Sequence, residues 1–176
     1  MESKDKNSLF ERIYNGNFSY VYNFIYMKVL QKETAEEICS DVFLRAYKAI
    51  ESYDPEIAGE RTWLCTIARN LLINYYKRKA SDKAEPVEEL PEVPVEDDYS
   101  VTRQAANREV ERLFALLNDE ERELLSMRFG MELSVKEIAA VKGVSQNAMT
   151  HRIVRILEKL KKIEEKDGHS LSDFIP

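Results

Sequence analysis

Hydrogen-bonding side chains lie on one face of the helix predicted for the stretch SQNAMTHRI, residues 145–153. Met149 and Ile153 recur at the spacing of a buried stripe, and Ser145 suits the N-cap position. The outward positions carry amide, hydroxyl, imidazole and guanidinium groups, which can read base edges or hold phosphates. These candidate DNA-binding residues are Asn147, Thr150, His151, Arg152 and Arg155. Arg152 and Arg155 carry the positive charge of this set and are expected to attract phosphates.

The residues before this stretch have the spacing of a helix-turn-helix. Ser134 and Glu137 form a predicted capping box at the start of the first helix. Ala139 lets the two helices approach closely, and Gly143 permits the positive φ of a tight turn. Such units place their second helix in a major groove. A three-helix bundle without a nucleic-acid role is the alternative that the spacing leaves open.

A second candidate nucleic-acid surface lies in ERTWLCTIARNLLINYYKRK, residues 60–79. Its outward side mixes amides and cations beside aromatic rings. Amides can read base edges, cations can hold phosphates, and aromatic rings can stack on unpaired bases. The candidate residues are Arg69, Asn70, Asn74, Lys77 and Arg78. Aromatic side chains at helical spacing more often belong to a core, and this is the expectation for Trp63.

The charge is segregated along the chain, although the net charge is −6. Residues 61–83 and 134–162 each carry an excess of five positive charges, whereas residues 84–100 carry seven acidic and no basic residues. Two basic segments joined by an acidic one favour two separate DNA contacts, and random clustering of charge is the alternative that the charge pattern alone leaves open.

The apolar residues recur at helical spacing and no segment alternates with period two, so we predict an all-α fold with a C-terminal helix-turn-helix. The stretch 85–100 contains three prolines and no basic residue, which favours a flexible linker. We therefore expect two small helical domains. The predicted boundaries are an N-terminal domain at 6–81, an acidic linker at 82–100, a C-terminal domain at 101–165 and a tail at 166–176.

Within these domains, helices are predicted near residues 8–30, 34–51, 60–80, 101–117, 119–129, 134–142 and 145–164. Asn15-Gly16-Asn17 is expected to interrupt the first helix. Thr34 and Glu37 are expected to form a capping box, and Asn118 is expected to be an N-cap.

Several classes of protein are disfavoured by the sequence. Cys39 and Cys65 lie in apolar helical patterns and are expected to be buried, reduced thiols. No metal-ligand spacing and no glycine-rich phosphate loop occurs, so we expect no metal, no cofactor and no enzymatic activity. No apolar run reaches membrane-spanning length and no signal peptide is recognised, which predicts a cytoplasmic protein.

The two halves together resemble the extracytoplasmic-function group of sigma factors, within the sigma-70 family of bacterial RNA polymerase subunits. ETAEEICSDVFLRAYKAIESYDPE resembles the family's polymerase-binding helix, and TWLCTIARNLLINYYKRK resembles the stretch that engages the −10 promoter element. LLNDEERELLSMRFGMELSVKEIAAVKGVSQNAMTHRIVRILEKLKK resembles the domain that reads the −35 element. The resemblance covers residues 8–165 in the family's order and spacing.

The resemblance implies roles for particular residues. The loop 52–59 matches the segment that captures a flipped −10 base, which adds Tyr53 and Asp54 to the candidates on the following helix. The positions that match the polymerase clamp contact are Glu37, Ser40, Asp41, Phe43 and Leu44. The implied partners are core RNA polymerase, through its clamp and flap, promoter DNA and an anti-sigma factor.

Two rival functions are compatible with a C-terminal helix-turn-helix. A response-regulator type of transcriptional activator needs alternating strands and helices in its N-terminal half, and the sequence predicts none there. A helical adaptor that binds only proteins would engage polymerase without promoter-specific initiation.

Overall fold

The computed structural model describes residues 3–81 and 101–167, with only the backbone of residue 3 and of 101–107. Helices dominate both described ranges, which contain no strand, as the all-α prediction requires. The predicted linker at 82–100 and residues 168–176 of the predicted tail lie outside the described residues. The α-helices are α1 Ser3–Val29, α2 Lys32–Ala49, α3 Glu60–Ser81, α4 Val101–Ala115, α5 Asp119–Leu125, α6 Val135–Lys142 and α7 Gln146–Asp167. A 3₁₀ turn at Ile50–Ser52 follows α2, and a π-helical turn at Ser126–Gly130 follows α5.

The first helix is continuous, so the predicted interruption at Asn15-Gly16-Asn17 is wrong. Asn17 is buried, and its Nδ2 donates to the Ile13 carbonyl oxygen at 2.8 Å and to Glu60 Oε2 at 2.8 Å. A tertiary hydrogen bond to α3 thus compensates for the low helix propensity of asparagine. Residue propensity alone could not reveal that partner, because it lies 43 positions away.

The start of α2 also differs from the prediction. The helix begins at Lys32, its N-cap is Gln31, and no side chain caps it, so the predicted Thr34–Glu37 capping box is wrong. Leu30 adopts a positive φ of 54° and ends α1. The chain therefore turns early enough for the Ala35 amide to donate to the Gln31 carbonyl oxygen at 3.0 Å. The turn geometry sets this boundary, not the side chain of Thr34.

The predicted caps in the C-terminal half are confirmed. Ser134 and Glu137 form a reciprocal capping box, and Asn118 forms a second one with Glu121. Gly143 has a φ of 65° in the turn between α6 and α7, a conformation that glycine adopts without steric cost. Ser145 Oγ accepts from the Ala148 amide at 3.2 Å. Local hydrogen bonds therefore fix the helix-turn-helix geometry that the sequence predicted.

We expect Ser134→Ala to lower the free energy of unfolding by about 1 kcal/mol, because the Glu137 amide loses its side-chain acceptor. Urea titration monitored by helical circular dichroism measures the change. The same substitution at Ser19, an exposed position inside α1, should not lower the free energy of unfolding. Equal losses at the two sites would show that capping does not stabilise α6.

The hydrophobic core runs through both halves as one cluster. Phe24, Val42 and Leu64 are fully buried among α1, α2 and α3, and Ile138 and Met149 are fully buried in the C-terminal half. The π-helical turn packs against α1 so closely that a Cβ on Gly130 would lie 2.8 Å from the backbone nitrogen and Cα of Phe24. The two halves of the chain therefore pack directly on each other.

Polar contacts reinforce the packing between the two halves. Lys28 is buried, and its Nζ lies 3.2 Å from Asp119 Oδ1 and donates to the Asp119 carbonyl oxygen at 3.0 Å. Burial lowers the pKa of Lys28, although Asp119 opposes that shift. The carbonyl oxygen of Lys28 also accepts from the Tyr76 hydroxyl at 2.8 Å. The C-terminus of α1 is thus tied to both α3 and α5.

Candidate nucleic-acid and polymerase interface

The predicted reading face of α7 is exposed. Met149, Ile153 and Leu160 are buried against the other helices, which turns the opposite side of α7 outward. The predicted residues on that side are all exposed: Asn147, Thr150, His151, Arg152 and Arg155. Thr150 Oγ1 donates to the Gln146 carbonyl oxygen at 2.9 Å, so its hydroxyl must rotate or accept a hydrogen bond to meet a base edge.

The cations on α7 fall into two groups. Arg152 Nη1 lies 3.4 Å from Glu120 Oε1, and Lys159 Nζ donates to Glu121 Oε2 at 2.7 Å, so α5 carboxylates hold both. Burial raises the pKa of Glu121, but the hydrogen bonds from Lys159 and from the Asn118 amide outweigh it and leave that pKa lowered. Arg155 makes no ion pair within the described ranges and is exposed. Its guanidinium is therefore available to a phosphate.

The predicted −10 face of α3 is largely exposed as well. Leu64, Ala68 and Leu72 are buried and fix the rotation of the helix. The exposed predicted residues are Asn70, Asn74, Lys77 and Arg78. Amides near the middle of α3 and cations near its end therefore share the solvent side, as expected for a helix that contacts bases and phosphates.

Arg69 is the exception among the predicted residues on α3, because its guanidinium pairs with a carboxylate from the C-terminal half. Its Nε donates to Glu123 Oε1 at 2.7 Å, while Lys142 Nζ donates to Glu123 Oε2 at 2.6 Å. Burial raises the pKa of Glu123, but these two hydrogen bonds outweigh it and leave the pKa lowered. One carboxylate thus binds a cation from each half of the protein. Sequence reasoning missed Glu123, since its partners lie 54 and 19 positions away.

The predicted base-capturing loop leads into a pair of aromatic rings. Tyr53 packs on Trp63 with ring centroids 4.7 Å apart and an interplanar angle of 36°. Trp63 is half-buried and not a full core residue. Burial, followed by the nearby Glu60 carboxylate, raises the pKa of Tyr53 above its ordinary value of 10.0. Asp54 Oδ1 accepts from the Glu56 amide at 2.9 Å, which shapes the loop.

The predicted clamp-binding residues divide into exposed and buried members. Glu37, Ser40 and Asp41 are exposed on α2, and Leu44 is 52% exposed. Phe43 is 4% exposed, so any contribution it makes to a polymerase surface is indirect.

Phe43 packs against an aromatic row on α1 that sequence reasoning missed. Its ring centroid lies 4.7 Å from that of Tyr14 and 5.9 Å from that of Phe18. The row recurs every four residues, which is a signal that the sequence did contain. Its members are Phe10, Tyr14, Phe18, Tyr22 and Tyr26.

The cysteines are free and buried, as predicted. Burial raises the pKa of the Cys39 and Cys65 thiols to about 12, so they remain protonated and unreactive near neutral pH. Within the described ranges, no group of potential ligands could hold a metal ion. None of the described helices combines the length and hydropathy needed to span a membrane.

Comparison with known proteins supplies the family. "Sigma-70 region 2" matches residues 10–81, and "Sigma-70, region 4" matches residues 113–162. The chain belongs to the sigma-70 family. The ECF RNA polymerase sigma factor BldN of Streptomyces coelicolor is 32% identical over 86% of this chain, and the match spans 60% of BldN. The sigma factor YlaC of Bacillus subtilis is 26% identical over 90% of this chain and 93% of its own length. These relatives place the chain in the extracytoplasmic-function group.

Solved structures confirm the fold. The sigma factor RpoE of Bartonella quintana, in complex with the anti-sigma factor NepR, has a TM-score of 0.69 at 17% identity. That match covers 89% of this chain and 96% of RpoE. CnrH, in complex with the cytosolic domain of CnrY, has a TM-score of 0.62 at 20% identity and covers 94% of this chain and 91% of CnrH. The response-regulator alternative is therefore wrong, since it requires strands that residues 3–81 do not contain.

Proposed function

We propose that this sigma factor binds core RNA polymerase, reads the −35 element with α7 and the −10 element with α3, and aids opening of the duplex. The observation that carries the proposal is the exposure of two polar and cationic helix faces, one in each matched sigma region. The exposed side of α2 around Glu37, Asp41 and Leu44 is the proposed clamp contact. The chain itself performs no catalytic step in this scheme and acts in the cytoplasm, where polymerase works.

Simultaneous reading of both elements requires the two halves to separate. A compact chain of this length has a radius of gyration of about 16 Å. Elements centred about 25 base pairs apart lie about 85 Å apart along B-DNA. The 19 residues at 82–100 could extend to about 60 Å, and the two domains add their own dimensions. We propose that polymerase holds the halves apart, which also releases Arg69 from Glu123.

The free protein should bind promoters weakly. Its net charge is −6, so DNA is repelled by the whole chain even though two segments are basic. Extracting a base from the duplex adds a cost of a few kcal/mol. Core polymerase supplies the missing affinity. We call the arrangement in which the two halves pack on each other the closed form. An anti-sigma factor that holds the closed form would prevent assembly with polymerase.

The experiment that tests the proposal is an electrophoretic shift of a promoter duplex at physiological salt. The chain alone should give no specific complex, core polymerase alone should give none, and the two together should give one. A tight and specific shift with the chain alone would contradict the proposal, as would a combined shift that ignores mutations in both elements.

We expect Thr150→Ala or His151→Ala to change base preference at the −35 element while leaving the salt dependence of binding unchanged. Their hydroxyl and imidazole groups are placed to hydrogen-bond base edges, and loss of such a contact costs about 1–3 kcal/mol of discrimination. Arg155→Ala should instead weaken binding to all promoters and reduce the salt dependence by about one phosphate contact. Titration of the holoenzyme on promoters with single −35 substitutions measures both. Uniform weakening by Thr150→Ala and His151→Ala would refute direct base reading.

A further inference from the structure

Three side chains join the middle of α1 to the first residue of α3. Glu60 Oε1 accepts from Arg12 Nη1 at 2.6 Å, and Glu60 Oε2 accepts from Asn17 Nδ2 at 2.8 Å. Asn17 is 4% exposed, and its amide nitrogen also donates to the Ile13 carbonyl oxygen. Burial of an amide is costly unless it is hydrogen-bonded, so Asn17 holds Glu60 in one place. The Glu60 charge also lies at the N-terminus of α3, where it is favoured by the helix dipole.

The contact of Arg12 and Asn17 with Glu60 borders the Tyr53–Trp63 ring pair, which connects the loop 52–59 to α3. The Trp63 amide donates to the Gly59 carbonyl oxygen at 3.0 Å, so the position of residues 59 and 60 sets the first turn of α3. Tyr53 packs on Trp63 from the loop side, and Glu60 is close enough to Tyr53 to act on its hydroxyl electrostatically. Movement of Glu60 would therefore move the ring pair relative to α1.

We infer that Arg12 and Asn17, acting through Glu60, are positioning residues for the Tyr53–Trp63 pair during promoter opening. The inference rests on the proposed function, in which the loop 52–59 and α3 take an unpaired base from the −10 element. A fixed ring pair accepts a base without first being ordered, which speeds opening. The three residues need not touch DNA for this effect.

The test uses the full chain with core polymerase and compares Glu60→Gln with Glu11→Gln. Both changes remove one carboxylate charge, but Glu11 is exposed on α1 and pairs with no cation within the described ranges. Opening is followed by the fluorescence of 2-aminopurine placed in the −10 element, and initial binding by the shift of the promoter duplex. We expect Glu60→Gln to slow opening about 10-fold with initial binding unchanged, because charge-assisted hydrogen bonds are lost. Glu11→Gln should open the promoter at the wild-type rate. Asn17→Ala should slow opening in the same way as Glu60→Gln.

A direct readout of ring position separates positioning from general destabilisation. Trp63 is the single tryptophan of the sequence, so the emission of the free protein reports its surroundings alone. Glu60→Gln should shift that emission under conditions where the helical content is unchanged. Unchanged Trp63 emission, or opening at the wild-type rate, would overturn the inference. A wild-type chain that fails to initiate with core polymerase would instead refute the proposed function.

Discussion

Gly130→Ala is expected to shift the free protein towards molecules in which the two halves are apart, without unfolding either half. The added Cβ would lie 2.8 Å from the backbone nitrogen and Cα of Phe24, a fully buried residue whose helical backbone cannot move aside. Overpacking of this kind costs about 1–3 kcal/mol, so the ratio of open to closed molecules should rise about 5- to 150-fold. Small-angle X-ray scattering should record a larger radius of gyration at unchanged helical content.

Gly16→Ala is the matched control for this prediction. Apart from its chain neighbours and the local backbone of α1, no atom lies within 4 Å of a Cβ added at Gly16, which is exposed. Alanine there should leave the radius of gyration unchanged and stabilise the helix slightly. If Gly130→Ala kept the wild-type radius of gyration and the wild-type unfolding free energy, the direct packing of the π-helical turn on α1 would be refuted.

Glu123→Gln is expected to weaken the closed form by about 1–3 kcal/mol, because Arg69 and Lys142 lose a shared carboxylate that is largely buried. The pKa of Glu123 is held below its ordinary value of 4.5. The contribution of ionised Glu123 to the free energy of unfolding of the wild type is therefore complete above about pH 4.5. It is lost as the pH falls through the folded-state pKa of Glu123. Glu123→Gln should have a lower free energy of unfolding than the wild type at neutral pH. On acidification, that free energy should fall less in the variant than in the wild type. Urea titrations at neutral and acidic pH measure both effects.

Glu132→Gln is the control for Glu123→Gln, because it removes an ion pair between the same two halves that is exposed to solvent. Glu132 Oε2 lies 3.6 Å from Arg61 Nη1, and their side chains are 59% and 36% exposed. Exposed pairs of this kind contribute less than about 1 kcal/mol, so Glu132→Gln should change the unfolding free energy little. Equal losses in the two variants would refute the special role of the Arg69–Glu123–Lys142 contact.

The sequence correctly predicted several local features of the C-terminal half, although the local capping box expected at Thr34 was wrong. The capping box at Ser134, the positive φ at Gly143 and the buried stripe of α7 depend on residues within a few positions of one another. Such features follow from propensity and periodicity, which operate within single helices. The exposure of the two DNA-facing sides follows from the same stripes, because burial of one side leaves the other in solvent.

The features that the sequence did not predict depend on distant partners. Asn17 looks like a helix breaker until Glu60 is placed beside it, and Gly130 has no evident purpose until α1 is packed against it. Phe43 was expected at the polymerase surface, but aromatic rings from α1 cover it. Arg69 was assigned to the −10 face, yet Glu123 occupies its guanidinium in the closed form. Each case requires the relative placement of helices, which single-helix patterns do not encode.

The central claim, that this sigma factor confers promoter specificity on polymerase, is tested most directly by run-off transcription with core enzyme on genomic fragments. We predict transcripts with defined start sites that appear only when core and chain are both present. Arg155→Ala and a variant that replaces Asn70 and Asn74 should each reduce these transcripts, through loss of −35 and −10 contacts respectively. Core enzyme that initiates at no specific site in the presence of the chain would contradict the claim.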